Sequence, residues 1–273
     1  MTPTLDPRAE GFRWSDHTRT PQFLDAAQVA RFDDDGFVLV EDVIAPADLD
    51  RVREDIDRYE AKAEAHLRTL PDGEAFIAKA DAITFTVHLA ARSDAARTFT
   101  HHPALVGISR DLVGDDVRLY WDQAVYKKPE PVREFPWHQD NGYAFVEPQE
   151  YLTCWVPLTD ATVDNGCPWV VPGMHRGGTL LHESSPFGLR CLEDAPGAVP
   201  VEARAGSVVV FSSLTPHRTG PNATDAVRKA YIVQYAPSDA MVVETGSGRR
   251  VPQTDERRQF EVLRGGRPTS VSS

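Results

Sequence analysis

A chain of 273 residues, 41% hydrophobic and 26% charged, has the make-up of a globular protein with a sizeable buried core. Its formal net charge of -12 argues against nucleic acid and anionic membrane surfaces as partners, and no stretch approaches the ~18 apolar residues of a membrane span. Three cysteines (Cys154, Cys167 and Cys191) without a C-x-x-C pair exclude a disulfide scaffold. No basic-then-apolar leader follows Met1, so a cytoplasmic protein is expected.

The first twenty residues are polar and read as an irregular arm. Asp25 and Gln28 have capping-box spacing, which predicts a short helix to about Asp34, stopping near Gly36. Phe37 to Val40 reads as a buried strand. Pro46 opens a second helix, in which Leu49, Val52, Ile56, Tyr59 and Ala63 recur at helical spacing. A third is expected from Pro103 to Val113, with His101-His102 in its entry loop and Gly114 able to cap it. Strands then dominate: Val117 to Lys127, Tyr151 to Leu158, Trp169 to Val171, Ser207 to Leu214 and Lys229 to Ala236. Met174 to Pro200 reads as a loop excursion, and residues 245–273 as a flexible tail on a single domain. Helices followed by many short strands predict a mainly β (α+β) fold with a double-sheet, jelly-roll core.

The most informative stretch is Phe135-Pro136-Trp137-His138-Gln139-Asp140. Side chains alternate along an extended chain, so His138 and Asp140 would share a face and could grip one cation. His217, just after the apolar run Val208 to Phe211, can complete a two-His, one-carboxylate triad of the kind that holds non-haem Fe(II) with coordination positions left open. With nine histidines in the chain, H-x-D pairs also arise by chance, and His175 and His182 stay available as ligands. Arg228 lies eleven residues after His217. A hairpin bending at residues 219–222 would return it beside the metal, where its planar fork suits a carboxylate.

At this point the sequence resembles the phytanoyl-CoA dioxygenase family. The resemblance is carried by Phe32-x-x-x-Gly36-Phe37, Gln123 to Pro129 and Trp137-His138-Gln139-Asp140. Further along it is carried by Trp155-Val156-Pro157-Leu158, Asn165-Gly166, Val171-Pro172-Gly173-x-His175, His217 and Arg228. It implies a double-stranded β-helix (cupin-like jelly roll) and Fe(II) held by His138, Asp140 and His217. It also implies 2-oxoglutarate as co-substrate with O2, its distal carboxylate on Arg228 and Thr219, and Gln123 and Trp155 lining its pocket. The chain departs from the commoner family pattern at Ser207 and Met174, neither of which is a ligand. Asp140 argues against halogenation, because halogenating relatives lack this carboxylate.

Tyr143 and Phe145, just past the ligands, together with Lys127 and His175, are the expected substrate contacts. The expected activity is hydroxylation of a C–H bond in a small natural-product or metabolic molecule, with release of succinate and CO2. Desaturation, cyclisation or epoxidation would use the same residues. A non-oxidative jelly-roll metal protein, whether an isomerase, a lyase or a binding module, is the alternative from another class, and it would have no need of a carboxylate clamp at Arg228.

Overall fold

The computed structural model describes residues 3–271. The first helix, α1 (Ala26–Asp35), opens with the expected capping box. The Asp25 carboxylate accepts from the Gln28 backbone N–H, and the Gln28 side chain accepts from that of Asp25. Gly36 closes it at φ 79°, and a Cβ there would come within 2.4 Å of the His175 ring, so this glycine is required twice over. Next come β1 (Phe37–Val40) and α2 (Pro46–Leu67), whose buried face is Leu49, Val52 and Ile56. The hairpin β2 (Glu74–Ala75) and β3 (Ala78–Lys79) leads into β4 (Ile83–Val87) and α3 (Asp94–Phe99), neither of which the sequence reading anticipated. In α4 (Pro103–Leu112), His102 is the N-cap, its ring nitrogen accepting from the Ala104 N–H, in keeping with a helix-entry role.

The strands that follow are β5 (Val117–Lys127), β6 (Phe135–His138), β7 (Val146–Glu147), β8 (Leu152–Pro157) and β9 (Pro168–Val170). The 174–200 excursion contains the hairpin β10 (Glu183–Ser185) and β11 (Gly188–Arg190) and ends in β12 (Val199–Pro200). The chain continues through β13 (Val208–Ser212), β14 (His217–Thr219), β15 (Arg228–Pro237), β16 (Met241–Val243), β17 (Arg250–Pro252), β18 (Glu261–Arg264) and β19 (Arg267–Pro268).

These strands build a large antiparallel sheet, in the order β1-β13-β8-β15-β5-β4-β3-β2, and a small one, β12-β9-β14-β6. The large sheet is apolar on both faces because each is covered. From β15, Tyr231, Val233 and Tyr235 pack with the helices, beside Ile56, Leu105 and Ile108. Ala230 and Ile232 point the other way and meet Val170, Cys167 and Ala203 in a second core. This is the jelly roll. The three cysteines are free thiols, two buried and one partly so.

One expectation needs correction. The tail is structured: β18 pairs with β5, and Val262 and Leu263 are buried in the helix-side core. The N-terminal arm is docked on the body of the fold, since Asp6 N–H donates to the Thr179 carbonyl and Leu181 N–H to that of Thr4. Residues 1, 2, 272 and 273 of the expected arm and tail lie outside the described residues. Among the described residues, no helix is long and apolar enough to cross a membrane.

Candidate metal centre and co-substrate pocket

β6 and β14 are neighbours in the small sheet, and His138 and His217 stand opposite each other in register. Both rings are aimed by their own backbones. His138 Nδ1 contacts the Pro136 carbonyl at 2.8 Å, and His217 Nδ1 contacts that of Thr215 at 3.0 Å. A carbonyl only accepts, so each Nδ1 carries the proton and each Nε2 lone pair is free to bind a metal. Asp140 Oδ1 lies 3.9 Å from His138 Nε2 and 3.8 Å from His217 Nε2. One donor atom from each residue falls within 4.8 Å of the others, the group's two imidazoles being buried. Burial and the neighbouring His217 hold His138 well below the ordinary imidazole value, which keeps it neutral.

Asp140 reaches this position differently from the expected extended strand. β6 ends at His138, and Asp140 opens a single 3-10 turn over Asp140–Gly142. Gln139, between the two ligands, is fully buried and ties the segment down. Its amide donates to the Gly178 and Leu214 carbonyls at 3.0 and 2.5 Å and accepts from Leu180 N–H at 2.6 Å. The Gln139 N–H donates to His182 Nε2 at 2.9 Å. His182 is therefore engaged as an acceptor, and its other ring nitrogen donates to the Leu180 carbonyl. A Cβ on Gly142 would fall 2.1 Å from that ring, so only glycine fits.

The inner face of the large sheet supplies the rest, in cross-strand rows. In the first row, Thr153 of β8 faces Gln234 of β15. Thr153 Oγ1 donates to Asp140 Oδ2 at 2.5 Å and accepts from Gln234 Nε2 at 3.2 Å. In the next, Ile232 stands between Trp155 and Gln123. Two rows further on, Arg228 pairs with Lys127. Arg228 is 1% exposed and its guanidinium lies 5.3 Å from the Trp155 ring. Its Nε and Nη2 have no hydrogen-bond partner, and burial pulls its pKa down to about 10. Two unpartnered, buried guanidinium nitrogens fit an anion that would be seated there. Arg228 does not return through a hairpin: the chain crosses from β14 in the small sheet to β15 in the large one.

The expected substrate contacts divide. The Tyr143 ring stands edge-on to His138 at 5.4 Å, and its hydroxyl accepts from Leu189 N–H of β11 at 3.1 Å. Phe135 flanks His138 from another side at 4.7 Å. Phe145, by contrast, is buried with Ala9 and Val243 under the Arg8 guanidinium, so it anchors the arm. His175 is fully buried, donates to the Asp33 carbonyl at the end of α1 and packs on Trp14 at 4.4 Å, so it too is a framework residue. Lys127 is buried, with its ammonium on the carbonyls of Thr219 (3.0 Å) and Gly220. Thr153, Gln234 and His182 were not anticipated as supporting residues. The available signal was a polar residue at an inward position of two otherwise apolar strands.

Comparison with known proteins agrees with this geometry. The family model for phytanoyl-CoA dioxygenase (PhyH) matches residues 32–230. A probable phytanoyl-CoA dioxygenase from Caenorhabditis elegans is 27% identical over 249 residues, covering 82% of this chain and 79% of that protein. Among solved structures, the non-haem α-ketoglutarate-dependent carbocyclase SnoK from nogalamycin biosynthesis superposes with a TM-score of 0.67 at 24% identity, over 86% of this chain and 95% of that one. EvdO2 from Micromonospora carbonacea var. aurantiaca, solved with 2-oxoglutarate, gives 0.65 at 24% identity, over 84% and 96%. The iron and 2-oxoglutarate of this group suit the two imidazoles, one carboxylate and orphaned guanidinium found here. The chain belongs to the phytanoyl-CoA dioxygenase family of non-haem iron, 2-oxoglutarate-dependent oxygenases.

Proposed function

We propose that this enzyme hydroxylates a C–H bond of a small natural-product or metabolic molecule, with His138, Asp140 and His217 holding the iron. The observation that carries the reading is the pairing of the triad with Arg228, a buried guanidinium with two unpartnered nitrogens on the same inner sheet face as Thr153 and Trp155. When bound, iron with 2-oxoglutarate and O2 supplies the oxidising power: one oxygen atom goes to the substrate and the other to succinate, with loss of CO2. The chain's own task is binding and orientation. Arg228 and Thr219 take the distal carboxylate, and Trp155 and Gln123 flank the path between that end and the metal. His138 and His217 are held in place by their Nδ1 contacts, and burial keeps His138 neutral.

The substrate side is apolar. Phe135 and Tyr143 flank His138, Phe85 packs on Phe135, and Gly188 of β11 comes close to Tyr143, Ile77 and Phe135. Phe76 and Phe187 are exposed on the two neighbouring hairpins. The cations around them are already paired: Lys79 and Arg133 with Glu74, and Arg218 with Glu134. This favours a molecule with an apolar body over an acyl-CoA. A cluster of arginines that the sequence did not reveal (Arg92, Arg97, Arg118, Arg257 and Arg264) lines a separate crevice that shares no residue with this entrance.

Turnover of a responsive substrate under 18O2 tests the reading. One labelled oxygen in the product is the expected result. An unlabelled, desaturated or cyclised product would replace hydroxylation with another oxidation by the same residues.

A further inference from the structure

Lys127 and Arg228 are neighbours in register on β5 and β15, and both are essentially buried, at 3% and 1% exposure. Neither forms an ion pair among the described residues, although the chain carries twelve more acidic than basic side chains. The adjacent Lys128 and Lys229 do: Lys128 pairs with Glu60 and Glu64, and Lys229 with Asp57. Two buried cations placed side by side without a protein counter-ion are unfavourable, through both desolvation and mutual repulsion. An anion held beside both would offset that cost.

Lys127 also has a mechanical part. Its ammonium donates to the carbonyls of Thr219 and Gly220, the turn that follows the His217 ligand, and Asn222 Nδ2 donates back to the Lys127 carbonyl at 2.9 Å. An ammonium has three protons and only two are placed on carbonyls.

We infer that Lys127 is a positioning residue for the co-substrate rather than a substrate contact: with Arg228 it forms a two-cation pocket that selects a 2-oxo acid with a second carboxylate. The inference rests on the co-substrate reading above. It predicts that the charge on Lys127 acts only through that second carboxylate.

The test is equilibrium binding, without oxygen, to Fe(II)-loaded protein of two probes: 2-oxoglutarate, and 2-oxopentanoate, which has the same chelating end and no distal carboxylate. Lys127→Met removes charge and donors. Lys127→Gln removes the charge and keeps an amide able to reach the turn, so it serves where the Met variant does not fold. Either variant should weaken 2-oxoglutarate about tenfold, the size of one charge interaction of roughly 1.4 kcal/mol, and leave 2-oxopentanoate within about twofold. Equal weakening of both probes, or no change in either, would overturn the inference, leaving Lys127 a turn anchor or a bystander. Wild-type protein that binds neither probe would overturn the co-substrate reading itself.

Discussion

Thr153 and Asp140 are joined by a 2.5 Å hydrogen bond from Oγ1 to Oδ2, which leaves Asp140 Oδ1 as the carboxylate oxygen facing both imidazoles. The bond is itself backed by Gln234 Nε2 on Thr153 Oγ1. A ligand carboxylate held by one oxygen presents the other in a fixed direction, so the metal need not order it on binding. Thr153→Val should lower Fe(II) affinity roughly 10- to 100-fold, the range for such supporting contacts. Thr153→Ser, which keeps the hydroxyl, should stay near wild type. Titration with Fe(II) or Co(II) measures both, and equal losses in the two variants would remove the hydroxyl from the account.

Gly142 and His182 make the second prediction. Gly142→Ala places a methyl on the ring that receives the Gln139 N–H, and that ring is held on its other side by Leu180. The H-x-D segment has to shift. Metal affinity should fall at least tenfold, with a stability loss of about 1–3 kcal/mol typical of overpacking. Chemical denaturation and metal titration of the same samples separate the two effects. An unchanged metal affinity would mean that the ligand segment tolerates the shift.

A third concerns Asp122, a buried carboxyl between the helix layer and the large sheet. Its Oδ2 accepts from Ala90 N–H at 3.0 Å and Tyr231 O–H at 2.9 Å, and its Oδ1 has no partner. Burial outweighs these bonds and pushes its pKa up. A carboxyl whose folded pKa exceeds the unfolded one binds more protons when native. Its contribution to stability is present below the ordinary carboxylate value, near 4, and is lost as pH rises through the folded pKa. Asp122→Asn removes that dependence. The stability of wild type relative to the variant should therefore decline from pH 4 to pH 8, as read by denaturation midpoints. A difference that is flat or rises with pH would contradict the direction assigned to this group.

The parts of the fold and site that were legible in the sequence are those set by local chemistry. Asp25, Gln28 and Gly36 bound α1 because capping and left-handed closure need only neighbours in the chain. The apolar runs at Val208 and Lys229 announce strands buried on both faces. The three proposed ligands could be singled out because two histidines and a carboxylate stand in the order and spacing that carry the family resemblance. What was not legible depends on pairing across the fold. The β18 segment looks like a polar tail until β5 offers it an edge. Phe145 closely follows the His138–Asp140 segment and His175 belongs to a motif of the family resemblance, yet they pack on the N-terminal arm and α1, whose docking no local pattern specifies. Lys127 was expected to meet the substrate, and only the fold shows it to be buried, in register with a second buried cation, Arg228. The acidic excess said nothing of the arginine crevice, since its members come from three distant stretches.

Tyr143 yields a further prediction. Its hydroxyl receives the Leu189 N–H, fastening β11 over the face where His138 lies. Tyr143→Phe removes that acceptor and keeps the ring. Hydrogen exchange at residues 188–190 should quicken severalfold, in line with the loss of one hydrogen bond of about 1 kcal/mol. Unchanged exchange would show that packing against Gly188 alone holds the hairpin.

The central claim, that His138, Asp140 and His217 hold iron while Arg228 holds the far end of 2-oxoglutarate, is tested most directly without oxygen. Fe(II) and 2-oxoglutarate are added to metal-free protein, and the weak visible charge-transfer band of the chelate is followed in wild type, His138→Ala and Arg228→Ala. The account predicts a band in wild type, none in His138→Ala, and one in Arg228→Ala that needs at least tenfold more 2-oxoglutarate. A folded, iron-loaded wild type without the band, or an Arg228→Ala protein with unchanged affinity, would contradict it.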